Sequence, residues 1–240
     1  DVYKRQLRFT PILAMQLFLI RHAESMNNAK PPEQRIEDPP ITPLGEMQAE
    51  HLAGWTKSIQ IDTLITSPVL RALQTTRRIH EATGQHVHVW ANVFEEGGIY
   101  RGHGPQATQG GPGLSRSDVL WHAATDPSRC TLDPSIFPSG WWGGRDRETG
   151  QQASQRGVEV TRRLIQTFGS SGRVIFAVIH ADFKRKLLVE MIGDHVDPLA
   201  FGKLRNTGIT KLDFDGERWQ LDWFNSVSHL PAELITGNES

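Results

Sequence analysis

Met15-Gln16-Leu17-Phe18-Leu19-Ile20-Arg21-His22-Ala23-Glu24-Ser25 is the stretch on which the fold turns. Its apolar run falls far short of the ~20 residues a membrane helix needs. It is broken by Gln16 and runs straight into Arg21-His22 without a small-residue cleavage site, so it is not read as a signal peptide despite Lys4, Arg5 and Arg8 upstream. The reading is a β-strand, Gln16 to Ile20, that delivers Arg21 and His22 at its carboxyl end. Asp1 opens the chain and Met15 stands just before the strand. Residues 1–14 are therefore expected to be a non-native or disordered N-terminal extension, and residues 15–240 one domain.

Outward from this strand, strand and helix patterns alternate, as in an α/β fold with a mostly parallel sheet between helical layers, a three-layer αβα sandwich. Thr42-Pro43 pairs an N-cap with a proline at the first helical position, ahead of Leu44, Gln48, Leu52 and Trp55 on one face. Strand Thr63 to Thr66 meets Ser67-Pro68, a second cap signal, and a helix with Leu70, Leu73 and Ile79 inside. A third strand is expected around Val87 to Trp90. Residues 97–150 are crowded with glycine, proline and serine and interrupt the alternation, so they are expected to form an insertion with one short helix, Asp118 to Thr125. A helix from Gln151 to Phe168 carries Val158, Thr161, Ile165 and Phe168 at helical spacing, and the continuous apolar run Val174 to Ile179 reads as a central strand. Asp182 is expected to cap the next helix, with Leu187, Leu188, Met191 and Ile192 inside. Asp197-Pro198 repeats the cap-plus-proline signal. Asp215-Gly216 marks a hairpin between two final strands.

Composition narrows the function. With 26 Lys plus Arg against 27 Asp plus Glu, the formal charge is -1, which excludes a broad basic face for nucleic acid. A pocket for one small anion is untouched by that total. The single cysteine, Cys130, allows no internal disulfide, which fits a reducing, cytoplasmic setting. No membrane partner is expected, and oligomeric state is not legible.

Arg21-His22, Arg71 and His180 all fall at carboxyl ends of expected strands or at the helix starts beside them, the edge where open α/β sheets bind ligands. Two arginines and two histidines converging there would hold a phosphate group, whose oxygens suit bidentate guanidinium contacts. Taken singly, each of these residues has an ordinary structural explanation.

These stretches resemble the histidine phosphatase superfamily, the phosphoglycerate mutase-like proteins. Leu19-Ile20-Arg21-His22-Ala23-Glu24-Ser25 with Asn28 is similar to the Arg-His-Gly signature. Thr42-Pro43-Leu44-Gly45 and Ser67-Pro68-Val69-Leu70-Arg71-Ala72-Leu73-Gln74-Thr75 resemble the next two blocks. Val178-Ile179-His180-Ala181 and Asn206-Thr207-Gly208-Ile209-Thr210 resemble the last two. The blocks run in family order from about Leu17 to Phe214. Ala23 and Ala181 replace common glycines, which alters pocket shape but removes no reactive atom.

The resemblance implies roles. His22 would attack phosphorus and carry the phosphoryl group as a phosphohistidine. Arg21, Arg71 and His180 would bind the phosphoryl oxygens, and Asn28 would add a contact. A glutamate after the third strand would protonate the leaving alcohol. Val93-Phe94-Glu95-Glu96-Gly97-Gly98 offers Glu95, the preferred choice, and Glu96 as the alternative. No metal and no cofactor are implied, because guanidinium groups neutralise the charge. The partner would be a small phosphorylated substrate or a phosphoprotein.

Within the insertion, Gly140-Trp141-Trp142-Gly143-Gly144-Arg145 reads either as a lid facing the substrate or as packing anchors. Lys184-Arg185-Lys186 is expected to be a solvated helix face, with the alternative that one member reaches a second anionic group on the substrate. His86 and His88 share one side of a strand and are read as an exposed face rather than a metal pair. His103 and His122 carry no signal of their own. Three functions follow: a phosphomonoesterase, a cofactor-primed phosphoglycerate mutase, or a non-catalytic phosphate binder on the same fold. The phosphatase is preferred, because the insertion lacks the arginine-rich segments associated with mutases and no reactive residue is missing.

Overall fold

The computed structural model describes residues 15–102, 104, 106–193 and 201–237; the N-terminal extension, His103 and the Asp197-Pro198 signal lie outside them. The strands are β1 (Met15–Arg21), β2 (Thr63–Thr66), β3 (Val87–Val89), β4 (Cys130–Leu132), β5 (Val174–Ile179), β6 (Ile209–Phe214) and β7 (Trp219–Ser226). They form one sheet in the order β4-β3-β2-β5-β1-β6-β7. The first five strands of that order pair in parallel, while β6 and β7 run antiparallel. The helices are α1 (Met26–Ala29), α2 (Pro43–Thr56), α3 (Leu70–Thr83), α4 (Arg116–Ala123), α5 (Gly150–Phe168) and α6 (Ala181–Ile192).

Strand alternation separates two cores. Phe18 and Ile20 of β1 and Phe176 and Val178 of β5 point into one, with Leu52 of α2 and Leu73 of α3. Leu17, Leu19, Ile175, Ala177 and Ile179 point into the other, against Leu164 of α5 and Leu187 of α6. Both faces of β1 and β5 are thus covered, which is why these strands read as unbroken apolar runs. Each such side chain contributes ~1.5–3 kcal/mol by leaving water. This is the three-layer α/β sandwich expected.

Several local expectations need correction. Helix α3 does not start at Ser67. Val69 holds the N-cap position, and the Leu70 amide donates to Asp38 Oδ1 at 3.0 Å, so a carboxylate from a distant loop does the capping. Likewise His180, not Asp182, sits at the N-cap of α6. On α2 the buried stripe centres on Gly45, Gln48, Ala49 and Leu52, with Leu44 and Trp55 only half-buried. Gly45 is required there: a Cβ would sit 2.2 Å from the Glu24 carbonyl oxygen. On α5, Val160 and Leu164 are buried where Val158 and Ile165 are half-buried. Strand β4 was not anticipated; it is three residues long and pairs only with β3, in the insertion whose turn residues mask it. Lys184 is not solvated but fully buried, its Nζ donating to the Gly208 carbonyl at 2.9 Å.

Of the two readings of the tryptophan pair, the packing anchor is the one its surroundings match. Trp141 and Trp142 are buried in the first core, edge-on to one another at 5.5 Å and both against Phe94. Arg145 lies over the Trp142 ring, 4.3 Å from its centre. The glycines around them serve this packing: Gly98 has φ +71 and a Cβ there would fall 2.3 Å from the Trp142 ring. Among the described residues no helix is long and apolar enough to cross a membrane.

Candidate active site

The carboxyl ends of β1, β2 and β5, neighbours in the sheet, bring the expected residues together. A cleft of about 400 Å³ opens there, lined by Arg21, His22, Asn28, Arg71, Glu95 and Glu96 among others. His180 is fully buried beside it, its ring centre 5.1 Å from that of His22.

His22 is held in one tautomer. Its Nδ1 is 2.7 Å from the Ala23 carbonyl oxygen, which only accepts, so Nδ1 carries the proton. Nε2 then keeps its lone pair, and Arg71 Nε donates to it at 3.0 Å. Burial, with Arg71 and Arg21 close by, holds the imidazole pKa well below its usual value, so the ring is neutral at neutral pH. Backbone contacts fix the ring's parent residue. The His22 amide donates to Ile179 of β5 at 2.9 Å, and its carbonyl accepts from the Asn206 side chain at 3.1 Å. Thr207 also donates to that carbonyl, from a left-handed backbone with φ 52.

Arg21 donates through Nη1 to the Leu204 carbonyl, while its Nε is buried with no partner among the described residues. Burial lowers its pKa to about 10, with Glu95 opposing and Arg71 adding to the shift, and the group stays charged at neutral pH. Asn28 Oδ1 accepts from the Ser25 amide at 3.1 Å and the Ser25 hydroxyl at 2.9 Å. Asn206 Nδ2 also donates to the same oxygen, at 3.4 Å. Behind the wall, Asp38 is raised to about 6 by burial, against the pull of Arg71.

Glu95 lies on the cleft wall and Oε1 accepts from the amides of Glu96 at 2.9 Å and Phe183 at 3.0 Å. Burial raises its pKa, and Asp182 raises it further, which suits a group that must hold a proton. Glu96 shares the wall but is paired with Lys186 at 3.4 Å. The loop bearing Glu95 is held from behind by Arg156, which the sequence reading did not single out. Its guanidinium donates to the carbonyls of Asn92 and Phe94, pairs with Glu148, and lies between the Phe94 and Phe183 rings.

The structure adds residues at the mouth: Arg35, Tyr100, Arg147, Asp182 and Arg185. Arg147 lies over the Tyr100 ring at 4.2 Å, while Arg185 is tied to Asp182 at 2.8 Å. Arg35, Tyr100 and Arg147 are lone polar residues in irregular segments, which carry no periodic signal, whereas Asp182 and Arg185 belong to α6. His86 is engaged with Thr131 at 2.7 Å and lies away from the cleft wall.

A family model described as the histidine phosphatase superfamily (branch 1) matches residues 17–227. The probable phosphoglycerate mutase GpmB of Escherichia coli O1:K1 / APEC is 36% identical over 229 residues, 92% of this chain and 97% of that protein. The same-named protein of Yersinia enterocolitica is 40% identical over 70 residues, an alignment spanning 29% of this chain and 33% of that protein. The putative phosphoserine phosphatase 2 of Hydrogenobacter thermophilus is 24% identical over 217 residues, 89% of this chain and 97% of that protein. In fold, the chain is similar to a phosphoserine phosphatase variant of Entamoeba histolytica in complex with phosphoserine, with TM-score 0.61 and 23% identity over 90% of this chain and 100% of that one.

Proposed function

The chain belongs to the histidine phosphatase superfamily, and from that premise we propose that it is a phosphomonoesterase that needs no metal and works through a phosphohistidine on His22. The observation that carries this reading is the His22 ring itself: Nδ1 faces a carbonyl oxygen and Nε2 keeps its lone pair in a cleft shared with Arg21, Arg71 and Glu95.

A phosphomonoester enters with its phosphoryl oxygens toward Arg21 and Arg71, displacing the Arg71 contact from His22 Nε2. Nε2 attacks phosphorus, the bond from phosphorus to the leaving oxygen breaks, and Glu95 gives that oxygen its proton. Water then attacks the phosphohistidine, Glu95 takes the water's proton, and inorganic phosphate leaves with His22 restored. The guanidinium groups neutralise charge where it spreads in the transition state. Substrate choice is assigned to the mouth residues Arg35, Tyr100 and Arg147, which suits a small anionic phosphoester.

The test is phosphate release from an activated aryl phosphate in the presence of chelator, by wild type and His22→Ala. Loss of turnover in the variant, with an acid-labile and alkali-stable phospho-enzyme trapped in wild type, is the expected result; unchanged turnover rejects it. The 36% identity to a probable phosphoglycerate mutase favours a second reading, a cofactor-primed mutase. Interconversion of the two phosphoglycerate isomers with a bisphosphorylated primer, faster than phosphate release, would establish that one instead.

A further inference from the structure

Ser67 was expected to cap a helix and does not. It follows β2 directly, its amide donates to Val178 of β5 at 3.2 Å, and it is fully buried. Parallel pairing of Thr66 with Val178 sets it beside the end of β5, where His180 begins. Ser67 Oγ is 2.8 Å from His180 Nε2, and the same oxygen accepts from the Val69 amide at 3.3 Å.

These contacts decide a proton's place. The hydroxyl oxygen already receives the Val69 hydrogen, and the hydroxyl's own hydrogen must find an acceptor in a site closed to water. Among the described residues the acceptor the geometry provides is His180 Nε2. The remaining nitrogen, Nδ1, is buried with no partner among the described residues. We infer that Ser67 is a positioning residue: by donating to Nε2 it keeps the His180 proton on Nδ1, the ring atom left to donate to a phosphoryl group on His22. Burial, with Arg71 and His22 nearby, holds the His180 pKa well below its usual value, in keeping with a neutral ring having a single defined proton. In the other tautomer Nδ1 would be an acceptor, and an acceptor beside a phosphoryl oxygen repels it.

The catalytic part of this inference rests on the phosphatase reading, but the tautomer does not. The experiment is nitrogen NMR of histidine-labelled protein at rest, with the His180 signals identified by their loss in His180→Gln. Expected is a protonated Nδ1 and an unprotonated Nε2 in wild type, and in Ser67→Ala a proton on Nε2. In the same variant kcat falls by roughly 10² while KM moves less than about twofold, the pattern of a contact made in the transition state. A wild-type His180 already protonated on Nε2 overturns the inference whether or not the variant folds. A Ser67→Ala protein with unchanged tautomer and unchanged kcat overturns it as well. Failure of the phosphatase reading is recognised separately, by His22→Ala retaining activity.

Discussion

Arg71 Nε and His22 Nε2 are 3.0 Å apart, with the guanidinium donating to the nitrogen that would attack phosphorus. The contact does two things at once. It keeps the lone pair from collecting a proton, because a cation beside the ring disfavours imidazolium, and under the proposed function it holds a guanidinium where phosphoryl oxygens would come.

Arg71→Ala tests both. With burial unchanged but a neighbouring cation removed, the His22 pKa rises toward the ordinary imidazole range. The acid limb of the kcat/KM profile therefore moves to higher pH, and kcat/KM at the optimum drops by roughly 10² or more. An acid limb that stays in place would show that Arg71 does not control His22.

The choice between Glu95 and Glu96 is settled by leaving-group dependence. Glu95→Gln loses roughly 10²–10⁴ in kcat on alkyl phosphates, whose alkoxide needs a proton, and far less on an activated aryl phosphate. Glu96→Gln, which removes only the partner of Lys186, leaves both rates within about twofold. The reverse pattern would assign the acid to Glu96.

Trp142→Ala opens a hole against Phe94 and Trp141, and removes the ring under Arg145. The expected loss is ~3–5 kcal/mol of unfolding free energy, measured by urea melts, while relative rates across a panel of phosphomonoesters stay the same. A changed substrate ranking with unchanged stability would restore the lid.

Lys184 supplies a pH signature of stability. Burial, with Arg21 nearby, pushes its ammonium pKa well below the ordinary 10.5. Between the lowered native value and that of the unfolded chain, the unfolded state binds more protons, so stability rises with pH. Lys184→Met removes this rise; unfolding followed from pH 7 to pH 9 in both proteins measures it. Parallel slopes would mean that the buried amine stays charged.

Much of the fold was legible because it rests on periodicity. The apolar runs of β1 and β5 and the Thr42-Pro43 and Asp215-Gly216 signals depend on near neighbours in the chain, and the structure places elements where these put them. Arg21, His22, Arg71 and His180 were legible for a related reason, since each sits at the end of such an element. What escaped depends on contacts across the chain. Asp38 caps α3 from 32 residues away, and Ser67, which has every local mark of a cap, is claimed by His180. The buried Lys184 escaped likewise, because charge does not say which way a long side chain turns.

The strand order β2-β5-β1 has a consequence for a shortened chain. Ser67 and His180 are 113 positions apart in sequence, and they meet because β5 lies between two strands that precede it in the chain. A fragment cut before residue 174 carries His22, Arg21 and Arg71 yet lacks the strand that lies between β2 and β1. The cleft thus depends on a strand contributed late in the chain, lying between two that come early.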